Sequence, residues 1–148
     1  MLYAALKTVH LLSLVVWVGG MFFTLACLRP ALGVLDGPAR LKLMHAVMGR
    51  FFEFVNAAIG LVLLSGVAML WLRGWSWRLP HAWYAMIVLG LAMMGVFGYI
   101  RGTLYRRLQA ALQAQDGPAG AAALAAVRRA VLINLALGVV VIVAMKLA

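Results

Sequence analysis

Four apolar runs, each at least as long as the roughly 20 residues a helix needs to cross a bilayer, constrain this chain more than anything else in it. They fall at about 3–28, 45–72, 81–108 and 120–146, with only short polar stretches between them. The fold class predicted is all-α and integral to the membrane: a four-transmembrane-helix, up-down-up-down bundle in which residues 1–148 form one domain. With 67% of residues hydrophobic, the chain carries more apolar surface than a soluble domain of this size needs. The first run lacks a basic start and a small-residue cleavage site, so it reads as a retained helix rather than a signal.

Charge sorts by side. The net charge is +10, from 13 Lys and Arg against 3 acids. In a membrane protein such an excess marks topology and does not point to nucleic acid. Arg29, Arg40, Lys42, Arg50, Arg101, Arg106, Arg107, Arg128 and Arg129 flank two loops that both read Asp-Gly-Pro-Ala, at 36–39 and 116–119. Lys7, Arg73, Arg78 and Lys146 lie on the other side. The imbalance places the two loops in the cytoplasm and both termini in the periplasm of a bacterial inner membrane. Trp71, Trp75, Trp77 and Trp83 then form the outer aromatic belt. Arg29-Pro30 is expected to stop the first helix, because Pro has no N–H and crowds the preceding turn. The shared loop motif allows a repeat of two helical hairpins, although Asp-Gly-Pro is also ordinary turn chemistry.

Within the first span His10, Ser13, Trp17, Gly20, Thr24 and Cys27 recur at steps of three and four, one face of a helix. An ionisable side chain inside a span is costly and marks a functional site. His10 lies 19 residues before Arg29, about 28 Å of helix. His81 lies 20 residues before Arg101, about 30 Å. The first and third spans run the same way, so the two histidines sit at one level near the outer face. A gap between diagonal helices suits a flat macrocycle with an axial ligand on each side. The ordinary alternatives are an interfacial His81 and a His10 that only bonds between helices. His45 is expected at the cytoplasmic surface, a membrane thickness away.

Met69, Met86 and Met145 lie near the histidine level, and Met44, Met48, Met93 and Met94 nearer the inside. Thioethers suit Cu(I) and can ligate haem iron, and they also fill gaps in cores. Arg73 and Arg78 border the outer site, where they could pair with anionic groups such as propionates. Glu53 is expected to pair with Arg50, and Asn56 and Asn134 to bond across helices. The His81 face of the third helix continues through Ala85, Val88, Ala92, Gly95, Tyr99 and Gly102. The single Cys27 excludes an internal disulfide.

The run Leu6-Lys7-Thr8-Val9-His10-Leu11-Leu12, then Val16-Trp17-Val18-Gly19-Gly20 and Arg29-Pro30-Ala31-Leu32, resembles the CopD-like membrane domain. Arg50-Phe51-Phe52, Ser65-Gly66 and Ile133-Asn134-Leu135-Ala136-Leu137-Gly138 extend the resemblance along most of the chain. It implies a four-helix inner-membrane unit linked to copper resistance or uptake. The first-helix His and Trp-x-Gly pattern is also similar to the HemJ-type proteins, which implies haem b with His10 as a ligand. The Asn-Glu and terminal Lys-Pro patterns of that group are missing here.

The reading drawn from the sequence is a haem b-binding electron-transfer protein, or a membrane haem oxidoreductase, with the haem near the periplasmic face. His10 and His81 are the axial candidates, Met86 or Met145 the substitute, and Trp17, Arg73 and Arg78 the lining. The alternative is copper transport or resistance, with His10, His81, Met69, Met86 and Met145 as ligands and the inner methionines and Cys27 as an exit path. Candidate partners are the lipid bilayer, a quinone or periplasmic electron carrier, and a second copy of the chain. On the haem reading His10→Ala abolishes haem retention and His45→Ala leaves it intact, as read from the Soret absorption of the purified protein.

Overall fold

Asp36 and Asp116 start two of the four helices. The Asp36 carboxylate accepts from Ala39 N–H at 2.8 Å, and the Asp116 carboxylate from Ala119 N–H at 2.9 Å. Each satisfies an N–H that the first helical turn leaves free. Pro38 and Pro118 sit where a helix has no N–H to lose. The Asp-Gly-Pro-Ala motif is thus a helix cap used twice, once in each hairpin.

The computed structural model describes residues 1–74 and 79–147, and among them there is no strand. Four helices are long and apolar enough to cross a membrane: α1 (Leu2–Val34), α2 (Gly37–Leu72), α3 (His81–Gln113) and α4 (Gly117–Leu147). α1 packs along α2 and α3 along α4, and α4 also reaches α1 and α2. They form the all-helical up-down-up-down bundle. At 31 to 36 residues the helices are about 47–54 Å long, well beyond the roughly 30 Å hydrocarbon core. The surplus lies at the end that carries the Asp turns. There, on α3, Leu108 and Ala111 are buried while Arg106, Arg107 and Gln109 are exposed.

Pro30 does not end α1. The helix widens at Thr24–Leu28 into a π-turn, in which Arg29 N–H donates to Thr24 C=O, and then resumes through Pro30. The wider turn removes the need for the bond that Pro30 cannot make and relieves the ring's clash with the turn before it. The extra residue also turns the helix face, so Cys27 is exposed and leaves the His10 stripe. A second π-turn, Ile100–Leu104, stands in the same half of α3.

The buried seam runs through Trp17 and Met21 of α1, Met44, Met48, Phe52 and Val55 of α2, Met93, Phe97, Ile100 and Leu104 of α3, and Val127 and Val141 of α4. Leu, Val, Ile and Phe side chains elsewhere stand exposed on the outer surface, as expected of a chain solvated by lipid. Two glycines let helices close up. Gly20 lies against the Phe51 ring with no room for a Cβ, and a Cβ on Gly138 would stand 3.0 Å from Val18 and 3.2 Å from the Met93 methyl.

Gly20→Ala should destabilise the bundle by about 1–3 kcal/mol, the usual range for overpacking. Gly19→Ala, which meets nothing within 4 Å, should not. Reversible unfolding in mixed detergent measures both.

Candidate functional site

His10, Ser13, Trp17 and Met21 are the buried residues of α1. His10 turns toward α2, where Gly66 leaves space: its Cε1 would stand 3.6 Å from a Cβ there. Its Nδ1 lies 3.0 Å from Ser65 Oγ. The Ser65 hydroxyl donates to Leu61 C=O at 2.5 Å. With that proton committed, the Ser65 oxygen is an acceptor for His10 Nδ1–H in the tautomer that carries the proton there, and the Val62 backbone is a second hydrogen-bonding neighbour of the ring. A histidine held through Nδ1–H with Nε2 free is the form in which imidazole binds metals. Ser13 donates back to Val9 C=O at 2.8 Å, which satisfies it within its own helix.

The other expected outer residues are spread more widely. His81 is exposed at the first position of α3, and Val88, Ala92, Gly95 and Tyr99 of its stripe are exposed too. The seam of α3 that faces inward carries Met93, Phe97 and Ile100 instead, because these larger side chains fill the bundle. Met86 and Met145 are half-buried against the core, and Met69 is half-buried on α2. The Arg73 guanidinium lies 4.7 Å over the Trp83 ring, a cation–π contact at the end of α2. Arg78, Trp75 and Trp77 lie outside the described residues. No cluster of three or more His, Cys, Asp or Glu exists among the described residues.

Trp17 marks a change of level. It is 2% exposed and meets Phe97 edge to face, centroids 6.3 Å apart. Phe97 meets Phe52 at 5.5 Å, and Phe52 meets Tyr105 at 5.2 Å. Tyr105 stacks on His45 at 4.8 Å with the rings 5° from parallel. A chain of aromatic rings therefore links α1, α3 and α2 through the bundle. His45 is not a surface residue as its position suggested: stacking on Tyr105 holds it inward, and its Nε2 is buried without a partner.

Below Trp17 a cavity of about 950 Å³ reaches to the Asp turns. Trp17, Met21, Met44, Met48 and Phe97 line it, with Asn134 in its wall and Arg29, Arg40, Lys42 and Arg128 toward the turns. Asn134 does not bond across helices as expected. It is 0% exposed, and neither its Nδ2 nor its Oδ1 has a partner. Glu53, Arg50 and Asn56 are exposed, and no Glu53–Arg50 ion pair forms. The seam of α2 uses Met48, Phe52 and Val55, so these polar residues fall on its outer face.

Sequence reasoning missed Met21, Tyr105 and the cavity. Met21 follows Trp17 by four residues and could have been read as the next member of the His10 stripe. The position of Tyr105 depends on the π-turn just before it, which has no residue code.

The chain matches the family model described as Copper resistance protein D, CopD, over residues 45–147. No curated protein and no solved structure gives a significant match. The matched stretch runs from the early turns of α2 to the last residue of α4, and the chain belongs to the copper resistance protein D (CopD) family of membrane proteins.

Proposed function

We propose that this protein carries copper, as Cu(I), through the membrane between the His10 level and the end that holds the Asp turns. The observation that carries this reading is the set of buried thioethers. Met93 is 1% exposed, Met21 2%, Met48 4% and Met44 6%, and the last three line one cavity. Thioether sulfur is the soft, neutral ligand that Cu(I) favours over harder ions. Copper resistance as the family's description supports the same cargo.

In this reading His10 Nε2 is the first nitrogen ligand, with the half-buried Met86 and Met145 and the more peripheral Met69 and His81 as outer donors. The ion then exchanges between neutral sulfurs on successive turns of α1 and α2. The orientation that puts the Asp turns in the cytoplasm of an inner membrane rests on the excess of Arg and Lys there. Haem b would use the same His10. Copper takes precedence because the interior donors are sulfur and because the matched family is one of copper resistance. His81, the second axial candidate, stands on the outward stripe of α3.

Methionines that merely fill space are replaceable by leucine, a swap that usually costs less than about 1.5 kcal/mol. A Met21→Leu/Met48→Leu/Met93→Leu variant should therefore stay folded. It should lose Cu(I) uptake into proteoliposomes by roughly tenfold or more, the scale on which damaged metal sites fail. Unchanged uptake would show that the thioethers only pack, and would sink the reading.

A further inference from the structure

The cavity below Trp17 has three features that copper does not use. Its walls toward the Asp turns carry Arg29 and Arg128, which stand close enough to repel one another. Neither forms an ion pair or a hydrogen bond among the described residues. Arg40 is committed to the Leu32 and Leu35 carbonyls, and the nearby Asp116 carboxylate to Ala119 N–H. Arg29, Arg40, Lys42 and Arg128 outnumber the one carboxylate in the lining, that of Asp116, so this end of the cavity favours an anionic group.

Deeper in, the wall is apolar and ends at Asn134. Burying an amide with both polar atoms unpaired costs a few kcal/mol; the Asn134 amide is closed to water in this structure, and a ligand group that displaces a neighbouring side chain to reach it recovers that cost. Arg128 and Asn134 are six residues apart on α4, about 9 Å along the axis. The ligand that suits this order has an anionic head, a polar group a few ångströms deeper and an apolar remainder. Free phosphate would answer the arginines and leave Asn134 and the apolar walls empty. A quinone would answer Asn134 and the walls and leave the arginines facing each other. A phospholipid offers phosphate, ester carbonyl and acyl chain in the required order. Basic pockets between membrane helices at the cytoplasmic side are a known setting for such headgroups.

We propose that this cavity binds one anionic phospholipid from the leaflet at the Asp-turn end, with its phosphate between Arg29 and Arg128. An ester carbonyl accepts from Asn134 Nδ2, and acyl carbon lies against Leu25, Leu124 and Val131 of the same lining. At about 950 Å³ the cavity is within the range of natural ligand sites and holds the head and the first part of the chains. Binding is read in the absence of copper, so failure of the transport reading leaves this proposal standing, and the reverse also holds.

The test is native mass spectrometry of the purified full-length chain, titrated separately with phosphatidylglycerol, phosphatidylcholine of the same acyl chains, ubiquinone and inorganic phosphate. Phosphatidylglycerol should bind one to one and about tenfold tighter than phosphatidylcholine, whose phosphate meets the same two guanidinium groups but whose choline cation they repel. Arg29→Gln/Arg128→Gln should erase that preference. Arg106→Gln/Arg129→Gln removes the same charge from exposed positions off the cavity and should keep it. Asn134→Leu should weaken both phospholipids alike. Equal affinity for the two phospholipids, equal loss in both arginine pairs, displacement by ubiquinone, or capture of phosphate alone would each overturn the proposal.

Discussion

Glycine set against a large side chain of the next helix holds this bundle together. Lipid is as apolar as leucine, so burying hydrocarbon between two helices gives little net drive. What remains is dispersion, which falls steeply with distance. Gly20 against Phe51 closes α1 on α2, Gly120 under Leu41 closes α4 on α2, and Gly138 under Val18 and Met93 joins α4 to α1 and α3. These contacts set the depth at which every other residue meets its neighbours. Gly66 differs: a Cβ there would make only ordinary contact with the His10 ring, 3.6 Å from its Cε1.

The interior so formed has two levels divided by Trp17. At the level of the termini lies a small polar contact, His10 on Ser65 and the adjoining turn of α2. At the level of the Asp turns lies a roomy cavity with sulfur, aromatic and cationic walls and one unsatisfied amide. Phe51 and Leu41, which close on Gly20 and Gly120, line this cavity, so the lower level is tightly packed at its walls and open between them.

Most of the fold was legible in the sequence, because hydrophobic length in lipid leaves a helix little alternative. The Asp-Gly-Pro-Ala turns were legible as well, since cap chemistry is local. Rotation about the helix axis was harder. His81 shares a depth with His10, and depth follows from counting residues, but facing follows from which seam packs best. On α3 the Met93–Phe97–Ile100 seam was bulkier and took the inside. Asn134 looked like a partner for another helix, and no single sequence shows that the matching group is missing. The His10, Ser13 and Trp17 stripe was read correctly up to the residue where the helix changes pitch. Cys27 lies beyond that point and turns outward.

A π-turn is a one-residue insertion that the helix absorbs without a loop. It rotates everything after it by about 100° against everything before it. α1 and α3 each hold one, at Thr24–Leu28 and Ile100–Leu104. The faces of each helix on the two sides of its π-turn are therefore set independently. The half near the termini can keep its glycine-matched packing fixed while the half near the Asp turns is free to diversify. A relative one residue shorter at either place would keep the same loops and the same spans, yet line its cavity with a different set of side chains.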